Sequence, residues 1–160
     1  MLERCVGCGA VFDAIEGPIH RYMTSSPACW SCYGELLGAM AIRPELQFAR
    51  LYSVDAYAVQ HPGTPNPQAI QSVAVHLLNM YGYLLRGLPV APPRFAGHKG
   101  AFRWLTPPAN PASRTVRDMP TTGGAGAIAA ASRAWVEAVW AAWAEHHAQI
   151  AEWHALYSAA

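Results

Sequence analysis

Cys5-x2-Cys8 and Cys29-x2-Cys32 form two tight cysteine pairs separated by 20 residues. Thiolates three residues apart reach one ion without strain, and this separation of pairs is that of a zinc module. Gly9 follows Cys8 directly and permits the close backbone approach of a knuckle. The second pair falls at the start of a helix opened by Ser26-Pro27, where the helix dipole favours a thiolate. The spacing predicts a zinc site of Cys5, Cys8, Cys29 and Cys32. His20, between the pairs, is the alternative fourth ligand. Either set fills four tetrahedral corners and leaves none for water, so the expected role of the zinc is structural. The plain alternative is four unligated core cysteines.

A second set of chemistry-bearing residues interrupts apolar helix faces. Phe48, Leu51, Tyr52 and Val59 share one stripe, and Asp55 sits in the middle of it. A carboxylate there must be paired or bound to a metal, because burying it alone is costly. His147 falls among Val139, Trp140, Trp143 and Ile150, with His154 one heptad further along and His146 at the border. His76 and Asn79 border the face formed by Val73, Leu77, Tyr81 and Leu84. Antiparallel packing would bring Asp55, His76 and His147 to one cavity as catalytic candidates. They would suit a second metal ion with open positions, or metal-free acid–base work. Tyr57, Gln60, His61 and Trp143 are the candidate ligand-binding residues around it. For Asp55 the alternative is a buried structural pair, and for His61 a helix cap favoured by the dipole. The four Trp residues from 135 to 153 read either as core or as an aromatic interface.

The elements that must position these residues are helical. Ser26-Pro27 caps a helix expected to run to about Ala41, and Arg43-Pro44-Glu45 opens a second that stops near His61, before Pro62-Gly63. Asn66-Pro67 starts a third, ending at Arg86-Gly87, and a last, longest helix is expected from about Ala127 to Ser158. Between them, 88–126 is a Pro/Gly-rich connection with an apolar island at Phe102–Leu105, of the kind that often forms a site wall. Thr115-Val116-Arg117-Asp118 reads as a capping box and a short turn. Ahead of the first helix, Val11-Phe12 and the run 19–23 read as a hairpin. The expected fold is mainly α: an N-terminal treble-clef-like zinc finger, 1–40, packed on a bundle of about four helices, 41–160, as one compact unit.

The chain is 52% hydrophobic and 13% charged with a net charge of +1, which excludes a disordered chain and a basic nucleic-acid footprint. The most apolar stretch, 127–143, carries Arg133 and Glu137 and is not a membrane span. Met1-Leu2-Glu3-Arg4-Cys5 lacks the basic start and apolar run of an export signal. The expectation is a soluble, cytoplasmic protein with no nucleic-acid or membrane partner; a small-molecule partner and a homo-oligomer stay open.

Several segments together resemble a bacterial family catalogued only as a domain of unknown function. They are Cys5-Val6-Gly7-Cys8-Gly9-Ala10, His20-Arg21-Tyr22, Ser26-Pro27-Ala28-Cys29-Trp30, Val54–Gly63, Gln71–Leu77, Phe102–Leu105 and Val139–His147. The resemblance covers nearly the whole chain and implies a shared fold, but supplies no reaction. In that family the position of Cys32 is often not cysteine, which raises His20 as the fourth ligand. Two function classes follow. One is a small-molecule enzyme or binder with an Asp/His-lined cavity. The other is a non-enzymatic interaction module in which zinc only staples the fold.

Overall fold

The computed structural model describes residues 1–111 and 113–158. Helix starts follow the capping chemistry. The Ser26 hydroxyl accepts from the Cys29 N–H and Pro27 takes the first helical position, giving α1, Pro27–Ala41. Pro44–Leu46 makes one 3₁₀ turn and leads into α2, Gln47–Gln60. The Asn66 side chain accepts from the Ala69 N–H ahead of α3, Pro67–Leu85.

The last helix departs from the expectation of one continuous rod. It is α4, Ala125–Ala142, then a 3₁₀ turn at Ala144–His146, then α5, His147–Tyr157. Nothing in the local sequence demands a break, since no Gly or Pro lies between Ala127 and Tyr157. Packing imposes it: α4 lies along α2, whereas α5 lies along α3.

The N-terminal hairpin also differs. Strand β1, Leu2–Arg4, pairs antiparallel with β2, Val11–Asp13, placing Arg4 opposite Val11. The hairpin thus encloses the first cysteine pair, and the run 19–23 is not a strand. The partner of β2 precedes the knuckle instead of following it.

Helix α2 is the axis, touching α1, α3 and α4. From Asp55 to Gln60 every residue is buried. Small residues make this close approach feasible: Ser53 of α2 and Ser132 of α4 are wholly buried and their hydroxyls lie 3.4 Å apart. Trp135, Trp140, Trp143 and Trp153 are all core, each at most 7% exposed. The long connection is strapped down by Phe95, Phe102, Leu105, Val116 and Met119, all buried. Its turn at Val116–Asp118 carries the expected Thr115/Asp118 capping box. Among the described residues no helix is long and apolar enough to cross a membrane.

Candidate metal centre

The first cysteine pair sits in a knuckle closed by backbone bonds. The Cys5 N–H donates to the Ala10 carbonyl at 2.8 Å, and the Gly9 N–H to the Cys5 carbonyl at 2.9 Å. Gly9 makes this turn with φ +78°, a conformation that L side chains rarely adopt. Cys29 approaches from the first turn of α1, its Sγ 3.8 Å from that of Cys8.

The fourth corner belongs to His61, at the C-cap of α2. Ligand atoms of Cys5, Cys8, Cys29 and His61 all lie within 4.8 Å of one another. All four residues are at most 3% exposed. His61 Nδ1 lies 2.7 Å from the Tyr57 carbonyl, which can only accept, so Nδ1 carries the proton. Nε2 keeps its lone pair toward the sulfurs, 3.3 Å from Cys29 Sγ. Carbonyl anchoring of the far nitrogen is the usual way a metal-binding imidazole is fixed in tautomer and orientation.

Two glycines let the chain pack closely here, and Gly7 makes room for this ring. A Cβ on Gly7 would stand 2.4 Å from His61 Cδ2 and 2.3 Å from the Thr24 carbonyl oxygen. Beyond Pro62 the chain turns at Gly63, φ +77°, where a Cβ would meet the Tyr22 carbonyl oxygen at 2.1 Å. Aromatic rings wall the centre on the bundle side: Tyr57 stacks on His61 with centroids 3.9 Å apart, and Tyr33 stacks on Tyr57 at 3.8 Å. The Tyr57 hydroxyl lies 3.6 Å from Cys29 Sγ.

Three thiols this close cannot all ionise without a counter-charge. Donation from Cys29 and then from Cys8 pulls Cys5 well below the usual thiol range. Cys29, donating to Cys5 and Cys8 and buried, is held far above it. Cys8 is drawn down by Cys29, but Cys5 and burial outweigh that and push it up to about 12. Burial, followed by the neighbouring Cys29, raises Tyr57. A divalent cation resolves this conflict by stabilising every thiolate at once. Three sulfurs and one imidazole nitrogen are a donor set for a borderline-soft, tetrahedral ion.

His61 therefore stands where Cys32 was expected. Cys32 lies one turn further along α1, only partly buried, and is not among the four. The corner it would fill is taken by an imidazole delivered from α2. His20 is not among them either: its Nδ1 accepts from the Tyr22 and Met23 N–H groups at 3.3 and 3.2 Å, so it caps its own loop. Sequence reasoning weighed His61 as a helix cap or site-lining residue and missed it as a ligand. The usable signal was a histidine at a helix end before Pro-Gly, beside a knuckle with glycine at its centre.

The residues expected to share a second site are only partly brought together. Asp55 and His76 meet, Oδ1 to Nδ1 at 2.7 Å. The other carboxylate oxygen accepts from Asn79 Nδ2 at 2.8 Å and from the Tyr83 hydroxyl at 2.9 Å. Asp55 is 1% exposed, so these three donors replace its hydration. Burial, then the nearby carboxylate, pushes Tyr83 upward and keeps it a donor. His147 is elsewhere: it stacks on Trp140 at 3.9 Å and its Nε2 meets the Trp140 carbonyl at 2.9 Å, capping the end of α4. The break at Trp143 turns α5 onto a different neighbour and removes His147 from the expected cavity. Among the described residues no second group of metal-ligating atoms converges.

The four expected ligand-binding residues are likewise dispersed. Tyr57 and His61 belong to the metal centre. Gln60 is a buried cross-link, its amide donating to the Arg114 carbonyl at 2.6 Å and its oxygen accepting from Trp135 Nε1 at 3.0 Å. Trp143 is 1% exposed core.

Fold and site define a class: a mainly helical protein whose N-terminal segment joins the helices through a three-cysteine, one-histidine cluster able to hold a metal ion. The chain belongs to the family of unknown function DUF5946, which matches residues 3–144. No curated protein and no solved structure matches it.

Proposed function

We propose that the protein is a zinc-stapled helical protein that binds a small molecule and performs acid–base chemistry on it, with Asp55–His76 as the working pair. The carrying observation is the 2.7 Å contact between His76 Nδ1 and a carboxylate that Asn79 and Tyr83 hold in place. This arrangement orients the ring, leaving Nε2 without a protein partner among the described residues. The His76 side chain keeps 12% of its exposure.

Zinc is the ion that best suits three thiolates and an imidazole, and four protein ligands leave it no open position. The metal is assigned the structural role and the chemistry lies elsewhere. The test pairs metal analysis with spectroscopy. One zinc per chain should be found, and its removal by a strong chelator should lower the melting temperature. A small-molecule screen followed on the His76 ring resonances should yield compounds that shift His76 in wild type and fail to bind His76→Gln. A screen in which hits perturb only distant residues and bind His76→Gln equally overturns the assignment.

A second reading, an interaction module with structural zinc, draws on a different observation. Leu2, Val6, Ile15 and Ile19, all within the zinc-finger segment, are 47–80% exposed. The Trp face on which that reading first rested is core.

A further inference from the structure

On the far side of the bundle, the end of α3, the strap at Arg94–His98 and the last turns of α5 enclose a cleft of about 630 Å³. Arg86, Arg94, His98 and His154 line it, and among the described residues no carboxylate does. Neither arginine has an ion-pair partner among the described residues, although Arg43 and Arg133 each have one. Arg94 is steered by one bond from its Nη2 to the Pro89 carbonyl at 3.2 Å.

His154 is the second, independent observation. It is 7% exposed, yet its Nε2 has no hydrogen-bond partner. Its ring is clamped edge-on against Tyr81 at 5.0 Å and beside Phe95 at 5.5 Å. Leaving a buried polar nitrogen unpaired costs stability, and such groups call for an explanation. Burial, followed by the positive charges of Arg86 and Arg94, holds the imidazole below its ordinary range.

A competing role exists for Arg86. It caps the C-terminus of α3, where a cation offsets the helix dipole. Arg94 has no such duty, because it lies in the connection. Tyr81, Phe95 and Tyr157 add aromatic wall beside these polar groups. Concave, partly aromatic surface with a few convergent polar groups is the usual make-up of a small-molecule site.

We propose that this cleft binds a small organic oxyanion, a carboxylate or phosphate ester on an apolar body, gripped by Arg94 and Arg86 and seated against Tyr81, Phe95 and Tyr157. Guanidinium groups pair with either headgroup in the same forked geometry. The site is independent of the Asp55–His76 pair, and neither of those residues lines the cleft.

Calorimetric titration of the full, metal-loaded chain with benzoate, phenyl phosphate and uncharged benzyl alcohol tests it. At least one anion should bind one per chain and shift the His154 ring resonances, while benzyl alcohol should not saturate. The tighter anion identifies the headgroup. Arg94→Gln, an exposed position, should melt as wild type does and bind roughly tenfold or more weakly. His154→Gln gives a second variant within the cleft and should also weaken binding. Failure of both anions to saturate, equal binding of the alcohol, or unchanged affinity in folded Arg94→Gln overturns the proposal.

Discussion

The Nε2 of His61 lies 3.3 Å from the Sγ of Cys29, although 32 residues separate them in the chain. This contact ties the end of the central helix to the start of the first. Cys5 and Cys8 complete the knot from the amino-terminal hairpin. An ion held there would join three elements that otherwise meet mainly through side-chain packing.

His61→Ala should cost more than about 4 kcal/mol, the range reserved for loss of a metal site or network. In a chain of this size that corresponds to a fall of about 10 °C or more in melting temperature. Bound metal per chain should drop with it. Cys32→Ser should keep its metal and melt near wild type. Parallel metal analysis and thermal melts decide, and the reverse pattern would return the fourth corner to Cys32.

Gly7→Ala should weaken metal binding without touching a ligand. The added methyl would stand 2.4 Å from His61 Cδ2 and 2.3 Å from backbone oxygen of Thr24, so the ring or the knuckle must shift. Competition against a chromophoric chelator measures the affinity, and an unchanged value would show that the imidazole is not held where the knuckle needs it.

Asp55→Ala leaves the Asn79 amide and the Tyr83 hydroxyl facing a void and removes the partner of His76. Breaking a buried, hydrogen-bonded charge in this way typically costs about 3–5 kcal/mol. Denaturant unfolding should show such a loss. Asp55→Asn, which preserves shape and an acceptor, should cost less. If Asp55→Asn lost as much stability as Asp55→Ala, the charge of the carboxylate would account for the whole effect; if it matched wild type, volume and shape would.

Acid should destabilise the fold partly through His154. Its folded pKa is depressed by burial and then by Arg86 and Arg94, relative to an ordinary value of 6.5. The unfolded chain therefore binds this proton more readily, so stability is whole above pH 6.5 and declines as pH falls below it. Arg86, Arg94 and the Ser158 hydroxyl face the ring, and among the described residues no carboxylate compensates. His154→Gln should flatten that part of the stability–pH curve, whatever its effect at neutral pH. Protonation of the metal ligands acts in the same direction, so the quantity to compare is the difference between variant and wild type.

Local chemistry made much of this fold legible. Ser26, Asn66 and Thr115 announce their turns because each hydroxyl or amide satisfies a backbone N–H within three residues. Asp55 was legible as anomalous, since a carboxylate inside an apolar stripe needs partners, and His76 proved to be one. What stayed hidden depends on packing between distant segments. The Ala-rich run through Trp143 reads as unbroken helix, and only the different neighbours of α4 and α5 divide it. The imidazole of His61 carries no spacing relation to either cysteine pair, because a helix of 14 residues sets its position.

Synthesis from the amino terminus gives the scattered origin of the cluster a temporal meaning. A nascent chain that has emerged only through α1 offers an ion the sulfurs of Cys5, Cys8 and Cys29 without the imidazole of His61. The full grip forms after α2 has left the ribosome, by which time the axis of the bundle exists. Metal capture would then act as a checkpoint on whether the first half of the protein has folded, ahead of the strap and the last two helices.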